Sequence, residues 1–371
     1  MGIKSLHKLL QKYAPGCYQT KHLSEYAFKK VAIDISLYLY KYKAISGDKW
    51  LESFIALINS LRKNDVHCIF IIDGQAPPEK LEEQKKRRDS RDKQREKIKL
   101  LEEGIEAYET EGTVSPLIDE LCSKQMLSIF RPVAKTIDIS LAKEKLESMK
   151  SMLISITSDD IVIAKKLFDI LNVPYVQAPG EAECYGANLC VDGKVDAVLS
   201  EDTDVLAYGA PIFLTKIDYI RDTVVEISYE KILEETEMTK ETFTDLCIMC
   251  ECDYNSNIYL VGPEKSYQFL KNFKKIEEVL VELKKLVDKN QTPKYTDDMF
   301  VPLKYERCRE LFTNHPIDFY MPYCGTPDFA KLEEFLFSNN IRYDMAKLKK
   351  NLSVRCDELV FQEEDGSVIE I

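Results

Sequence analysis

The sequence predicts an α/β protein: a mostly parallel central sheet flanked by helices, followed by a helical carboxyl-terminal part. Three observations carry this. Short, β-rich apolar runs within residues 31–36 (VAIDIS) and 66–73 each close on an aspartate, and Trp50–Leu61 between them has apolar residues at helical spacing. That is the pattern of a strand–helix–strand crossover. A second such unit starts near Ser158, and from Ser228 to about Leu352 the chain has helical periodicity without strand-like runs.

Taken in order, Asp73 is followed by the turn GQAPPEK and then by a long charged segment, Leu81 to Glu103, almost free of apolar residues. Gly112 and Pro116 interrupt it, and less regular helical pieces are expected to about Met152. Asp159–Leu171 (DDIVIAKKLFDIL) reads as an amphipathic helix with Ser158 or Asp159 as its N-cap. VPYVQA is a strand, Glu181–Val191 opens a helix, VDAVLS is another strand, and PIFLTKI with TVVEIS form a hairpin. Pro263 suits the first turn of a helix. Asp357–Ile371 is acidic and expected to be a loose tail.

The chain has 371 residues and a formal net charge of −12. That balance argues against a surface coating nucleic acid along its whole length, although local basic patches decide such contacts. The amino terminus MGIKSLHKLL lacks the apolar core of a signal peptide, and no stretch approaches the roughly 18 apolar residues of a membrane span. Eleven cysteines are scattered without a paired framework. These features predict a reducing intracellular compartment, no membrane, and thiols that are mostly free and buried. Cys247, Cys250 and Cys252 lack the second pair or the histidine that a zinc site needs, so core thiols are expected there.

Seven acids stand out: Asp34, Asp73, Glu181 and Glu183 in APGEAE, Asp202 and Asp204 in LSEDTD, and Asp253 in ECDYN. Each alone has an ordinary explanation as a turn or cap residue. Together they sit where an open α/β sheet would deliver them to one end, beyond the carboxyl ends of its strands. Carboxylates gathered in one place repel and raise one another's pKa values. A hard divalent cation such as Mg²⁺ removes that cost, which points to a metal-dependent phosphodiesterase. The four histidines, His7, His22, His67 and His315, lie outside these stretches, which suits activated water better than histidine acid–base chemistry.

MGIKSL with VAIDIS, the segment VPYVQAPGEAECYGANLCVDGKVDAVLSEDTDVLAYGA and the stretch DLCIMCECDYNSNIYLVGPEKS resemble the XPG/flap endonuclease family of structure-specific nucleases, over roughly residues 1–280. The resemblance implies a PIN-like 5′-nuclease fold with a helical arch and a helix-turn-helix-like duplex-binding region. It divides the chain into an amino-terminal nuclease region with the start of the arch (1–105), the arch insert (106–152), the internal nuclease region (153–232), the helical duplex-binding region (233–352) and the acidic tail (353–371). It implies that all seven acids hold two Mg²⁺ ions, or Mn²⁺ in their place, about 3.5–4 Å apart. Lys80 and Arg87 match the family's basic residues over the active site, with the role of neutralising the scissile phosphate. Tyr40 matches an aromatic that stacks on the neighbouring base, and Gly2 a small residue near the metals.

Lys85, Lys86, Arg88 and Arg91 are phosphate contacts or plain solubilising charges on this reading, and KKRR a weaker nuclear-targeting signal. Gly262, Lys265 and Ser266 start the helix expected to touch duplex phosphates. The chain departs from the family by carrying Glu251 and Leu260 where glycines are usual, which puts a monovalent-cation site there in doubt. The implied partner is branched or flapped DNA, met by a monomer at the nucleus or another site of DNA replication. No sliding-clamp motif is recognisable in LVFQEEDGSVIEI. Competing readings are the same chemistry on bubbles, Holliday junctions or RNA, an inactive nucleic-acid-binding scaffold, and a generic phosphatase.

Overall fold

The computed structural model describes residues 2–126, 138–151, 153–287, 294–317, 320–353, 361–362 and 368–369. Strands β1 (Tyr18–His22), β2 (Lys30–Asp34), β3 (His67–Ile72), β4 (Tyr175–Gln177), β5 (Ala197–Leu199), β6 (Ile212–Asp218) and β7 (Thr223–Ser228) form one sheet in the order β1-β7-β6-β5-β2-β3-β4. Strands β6, β5, β2, β3 and β4 run parallel; β7 is antiparallel to β6, as the hairpin reading required, and β1 is antiparallel to β7. The fold class is therefore α/β with a mostly parallel sheet.

Side-chain alternation divides the central strands between two cores. Val31 and Ile33 of β2 and Cys68, Phe70 and Ile72 of β3 point to one face; Ala32, Ile69 and Ile71 point to the other. The first face is covered by α2 (Ile35–Ser46), α3 (Trp50–Lys63) and α7 (Ser158–Leu171). Phe54, Phe70 and Phe168 pack there, the last two stacked with ring centroids 4.3 Å apart. The second face is covered by α1 (Leu6–Tyr13), α8 (Ala182–Val191), α9 (Asp204–Ala207) and a helical carboxyl-terminal array. That array comprises α10 (Tyr229–Thr236), α11 (Lys240–Met249), α12 (Pro263–Phe273), α13 (Ile276–Lys284) and α14 (Tyr305–Leu311). Two further helices, α15 (Phe329–Ser338) and α16 (Met345–Leu352), return to the first face.

The charged segment forms α4 (Leu81–Glu111), 31 residues and about 46 Å long. Its first half is too polar to bury itself. Its second half carries Ile98, Leu101 and Ile105, which build a satellite core with Ile118 of α5 (Pro116–Met126) and Ala142, Leu146 and Met149 of α6 (Ile139–Ser151). Gly112 ends α4 in the left-handed region, φ 72°, with its N–H bonded back to the last turn. Lys143–Glu109 and Lys150–Glu102 ion pairs at 2.5 and 2.8 Å join α6 to α4. The less regular pieces expected before Met152 are thus two helices docked on α4.

Two further points differ from the sequence reading. The N-cap of α7 is Thr157, one residue before Ser158: its hydroxyl accepts the Asp160 N–H while the Asp160 carboxylate accepts the Thr157 N–H. This reciprocal pair satisfies two donors at once, which Ser158 or Asp159 as cap would not. Phe361–Gln362 pairs antiparallel with Val368–Ile369, so part of the expected loose tail forms a ladder; the rest of 354–371 lies outside the described residues. Among the described residues no helix is long and apolar enough to cross a membrane. Cys247, Cys250 and Cys252 are buried, packed in the second-face core.

Candidate active site

Six of the seven acids come from strand ends and helix starts, as parallel topology dictates, and the seventh, Asp253, from the helical array. Asp34 ends β2 and caps α2, its Oδ1 accepting the N–H groups of Ser36 (2.8 Å) and Leu37 (3.3 Å). Asp73 follows β3 on the neighbouring strand, and its Oδ1 accepts the Ala182 N–H at 2.9 Å. That bond ties it to the start of α8, where Glu181 is the N-cap residue and Glu183 lies in the first turn. Asp202 and Asp204 follow β5, with the Asp204 N–H donating to Asp202 Oδ1 at 3.0 Å. Asp253 comes from the turn after α11. Asp34, Asp73, Glu181, Glu183, Asp202 and Asp253 line one cavity of about 910 Å³, and Asp204 lies buried just behind it beside Asp202.

Burial and mutual repulsion dominate the electrostatics. Burial, followed by the charges of Asp73 and Glu183, pushes the Asp34 carboxyl well above the usual carboxylate range. Glu183 is pushed up to about 8, first by burial and then by Glu181, Asp202 and Asp73, with Lys80 opposing. Asp204 is fully buried and raised likewise by burial, Asp202, Asp253 and Glu183. Neither of its carboxylate oxygens has a hydrogen-bond partner. A buried carboxylate left in that state costs several kcal/mol unless a cation meets it, roughly 1–3 kcal/mol even for a neutral polar group.

Lys80 meets part of that charge. It ends a short 3₁₀ turn, Pro78–Lys80, that leads directly into α4. Its ammonium pairs with Glu181 and stands 3.3 Å from both Glu183 and Asp253. Burial works against its charge, but the three carboxylates outweigh this and raise its pKa. Arg87 sits two turns further on; its Nη2 lies 3.0 Å from both Asp253 oxygens, and its Nε bonds Glu83 at 2.9 Å. Among the described residues no three His, Cys, Asp or Glu side chains stand close enough together to hold a metal ion, and Lys80 lies among the carboxylates of the cluster. The donor set nonetheless fits a hard divalent cation in kind: the donors are carboxylate oxygens, two of them buried and unpartnered in Asp204.

Gly2 lies against this cluster with φ 82°. A Cβ there would stand 2.0 Å from Asp202 Oδ1 and 2.8 Å from the Asp204 N–H nitrogen. Gly2→Ala is therefore expected to displace Asp202 or the amino-terminal segment and to lower cleavage about tenfold or more, read by single-turnover kinetics, with a lowered thermal midpoint. Tyr40 lines the cavity and is 43% exposed, whereas Tyr38 and Tyr42 on the same helix are buried core residues. Lys86 and Arg91 line the same cavity; Arg88 and Arg91, with Arg95, line a second one of about 430 Å³ along α4. Lys85 is exposed and faces neither.

In the helical array Gly262 caps α12, and Lys265 Nζ donates to the Leu260 carbonyl at 2.8 Å. Ser266 corrects the sequence expectation: it is fully buried, and its hydroxyl turns inward to the Met249 and Gly262 carbonyls, both at 3.1 Å. It staples the turn to α11 and presents no hydroxyl to solvent. Glu251 and Leu260 have φ of 80° and 60°, the left-handed conformation that glycine adopts without strain. Leu260→Gly is expected to raise stability by about 0.5–1 kcal/mol, measured by denaturant unfolding. At Glu251 the same change would also remove a 2.8 Å ion pair to Lys4, offsetting the gain.

One functional neighbour escaped the sequence reading. The Tyr254 hydroxyl donates to Glu181 Oε2 at 2.5 Å and is itself joined to the Tyr208 hydroxyl at 2.8 Å, fixing Glu181 from below. Its signal was its place directly after Asp253 in ECDYN.

Residues 1–94 match the XPG N-terminal domain and residues 172–253 the XPG I-region. A probable RAD2-like endonuclease of Invertebrate iridescent virus 3 is 33% identical over 348 residues, covering 81% of this chain and 91% of the relative. Flap endonuclease 1-2 of Paramecium tetraurelia is 28% identical over 351 residues, covering 91% and 83%. In fold, the chain is similar to the catalytic core of Rad2 in complex with DNA substrate, with a TM-score of 0.64, 17% identity, and coverage of 95% of this chain and 99% of that one. With the acids of both matched regions gathered at one sheet end, the chain belongs to the XPG/flap endonuclease family and is a nuclease.

Proposed function

We propose that this protein hydrolyses DNA phosphodiesters at the junction between a single-stranded 5′ arm and duplex, as a Mg²⁺-dependent 5′ flap endonuclease with 5′–3′ exonuclease activity. The observation that carries this is the meeting of the acid cluster with Lys80 and Arg87 under the polar half of α4, in one cavity. Asp34, Asp73, Glu181, Glu183, Asp202, Asp204 and Asp253 would hold two Mg²⁺ or Mn²⁺ ions, which when bound supply positive charge to the scissile phosphate and lower the pKa of the attacking water. Lys80 and Arg87 draw the phosphate into the cavity and, as it enters, exchange carboxylate partners for phosphate oxygens. Arg88, Arg91 and Arg95 extend a cationic track for the single-stranded arm. The α12 turn holds duplex backbone without reading sequence. The viral and ciliate relatives support the nuclease reading, and a DNA substrate together with the unpaired cysteines is in keeping with a reducing compartment, the nucleus or another site of DNA replication.

The test compares 5′ flap, 3′ flap, bubble, four-way-junction and single-stranded DNA at equal salt, with EDTA and with Mg²⁺. Cleavage is expected only with the cation, fastest at the base of the 5′ flap, leaving a 5′ phosphate and a 3′ hydroxyl. Preference for the 3′ flap would reverse the polarity, and preference for the four-way junction would move the protein to junction resolution with the same chemistry.

A further inference from the structure

Two of the seven acids are N-cap residues, Asp34 of α2 and Glu181 of α8, and they are held differently. The Asp34 carboxylate turns back to the first N–H groups of its helix, whereas Glu181 makes no such bond. Its Oε1 pairs with the Lys80 ammonium, and its Oε2 accepts the Tyr254 hydroxyl at 2.5 Å. Tyr254 has a single hydroxyl proton, and the carboxylate takes it. At the 2.8 Å contact between the two phenols Tyr208 must therefore be the donor. The bonds run in one direction, from Tyr208 through Tyr254 to Glu181, so each strengthens the next. Both phenols are buried, and both rings pack against Phe312, with centroids 5.0 and 5.6 Å apart. Tyr208 stands one turn after Asp204, at the end of α9, and Tyr254 directly follows Asp253. One packed chain of hydroxyls thus ties together three of the segments that carry acids.

The two oxygens of Glu181 are not equally free. Lys80 lines the 910 Å³ cavity and can yield Oε1 to an incoming cation, whereas Tyr208 and Tyr254 do not line it and keep Oε2 engaged. A carboxylate with one oxygen committed in this way meets a cation through the other oxygen alone. That distinction separates two abundant divalent ions. Mg²⁺ demands near-octahedral geometry and takes single carboxylate oxygens, while the larger Ca²⁺ gathers more oxygens and readily accepts both from one carboxylate. We propose that Tyr254, backed by Tyr208, is a specificity-determining positioning residue: by leaving Glu181 one free oxygen, it favours Mg²⁺ over Ca²⁺ in the acid cluster. The proposal rests on the Mg²⁺-dependent reading above and names the side chains of this protein that select the ion.

The experiment titrates Mg²⁺ and Ca²⁺ separately, by calorimetry, into the full-length protein without DNA and into its Tyr254→Phe and Tyr208→Phe variants. Phenylalanine keeps each ring against Phe312 and removes only the hydroxyl. Tyr254→Phe releases Oε2 and is expected to shift the ratio of the two affinities about tenfold towards Ca²⁺. Tyr208→Phe only weakens the bond to Glu181, so about a threefold shift in the same direction is expected. In parallel, Ca²⁺ added at fixed Mg²⁺ should inhibit flap cleavage by Tyr254→Phe at about tenfold lower concentration than it inhibits the unsubstituted protein. Equal losses for the two ions, or no change for either, overturn the selectivity role and leave Tyr254 as support for the fold. Should Tyr254→Phe fail to fold, an unchanged ratio in Tyr208→Phe overturns the proposal and a shifted one upholds it. An unsubstituted protein that binds neither ion and cuts with neither overturns the Mg²⁺-dependent reading beneath it.

Discussion

Asp204→Ala is expected to lower single-turnover cleavage of a 5′ flap by about 10³-fold while making the protein more stable in EDTA. The two effects share one cause. The Asp204 side chain is fully buried, and neither oxygen has a partner, so the folded protein carries an uncompensated carboxylate that only a cation would satisfy. Removing it should raise the unfolding free energy by about 1–3 kcal/mol in EDTA. It should also diminish the stabilisation that Mg²⁺ confers on the unsubstituted protein. The pH dependence has a definite sign. Burial and neighbouring acids raise the folded pKa of Asp204, so its ionisation subtracts stability as pH rises from the ordinary carboxylate value through the folded pKa. The variant's advantage should therefore be larger at pH 8 than at pH 5. Thermal melts in EDTA at the two pH values, with and without Mg²⁺, check this; undiminished cleavage by the variant would refute the role given to Asp204.

Lys80→Ala should do the opposite to stability. Its ammonium is nearly buried and stands among Glu181, Glu183 and Asp253, so its loss leaves three carboxylates facing one another. A destabilisation of about 3–5 kcal/mol in EDTA is expected, largely recovered by Mg²⁺. Because Lys80 and a divalent cation compete for the same oxygens, calorimetry should show tighter Mg²⁺ binding by the variant. Cleavage should nevertheless fall about 10²- to 10³-fold, since the charge that meets the phosphate is gone. If the loss were only of duplex affinity, reversed by lowering salt, Lys80 would be an ordinary phosphate contact. Arg87 pairs with Asp253 and with Glu83 of its own helix and is more exposed than Lys80, so Arg87→Ala should cost less stability.

Much of the site was legible because local chemistry records it. An apolar run closing on Asp34 or Asp73 marks a strand with its acid at the carboxyl end, and Asp34 could cap α2 because the helix begins at the next residue. Gly112 and Pro116 marked the end of α4 and the start of α5 for reasons of backbone conformation alone. Other features had no local record. Ser266 follows a helix start, as a surface contact would, yet lies inward because α11 passes beneath it. Tyr254 reads as one more core aromatic until Glu181, far away in the chain, is brought to its hydroxyl.

By itself, then, the sequence placed the acids of the candidate site at the ends of their strands and the starts of their helices, since caps, alternation and apolar runs depend on near neighbours. Only the tertiary structure decided how those ends meet. The strand order β5-β2-β3-β4 sets Asp202, Asp34, Asp73 and Glu181 side by side. Lys43 of α2 ties the connection after α6 to the cavity wall through the Ser155 carbonyl, and the short turn before α4 drops Lys80 among the acids. Those approaches join residues far apart in the chain, and they are set by which apolar faces pack together, which no local pattern of residues encodes.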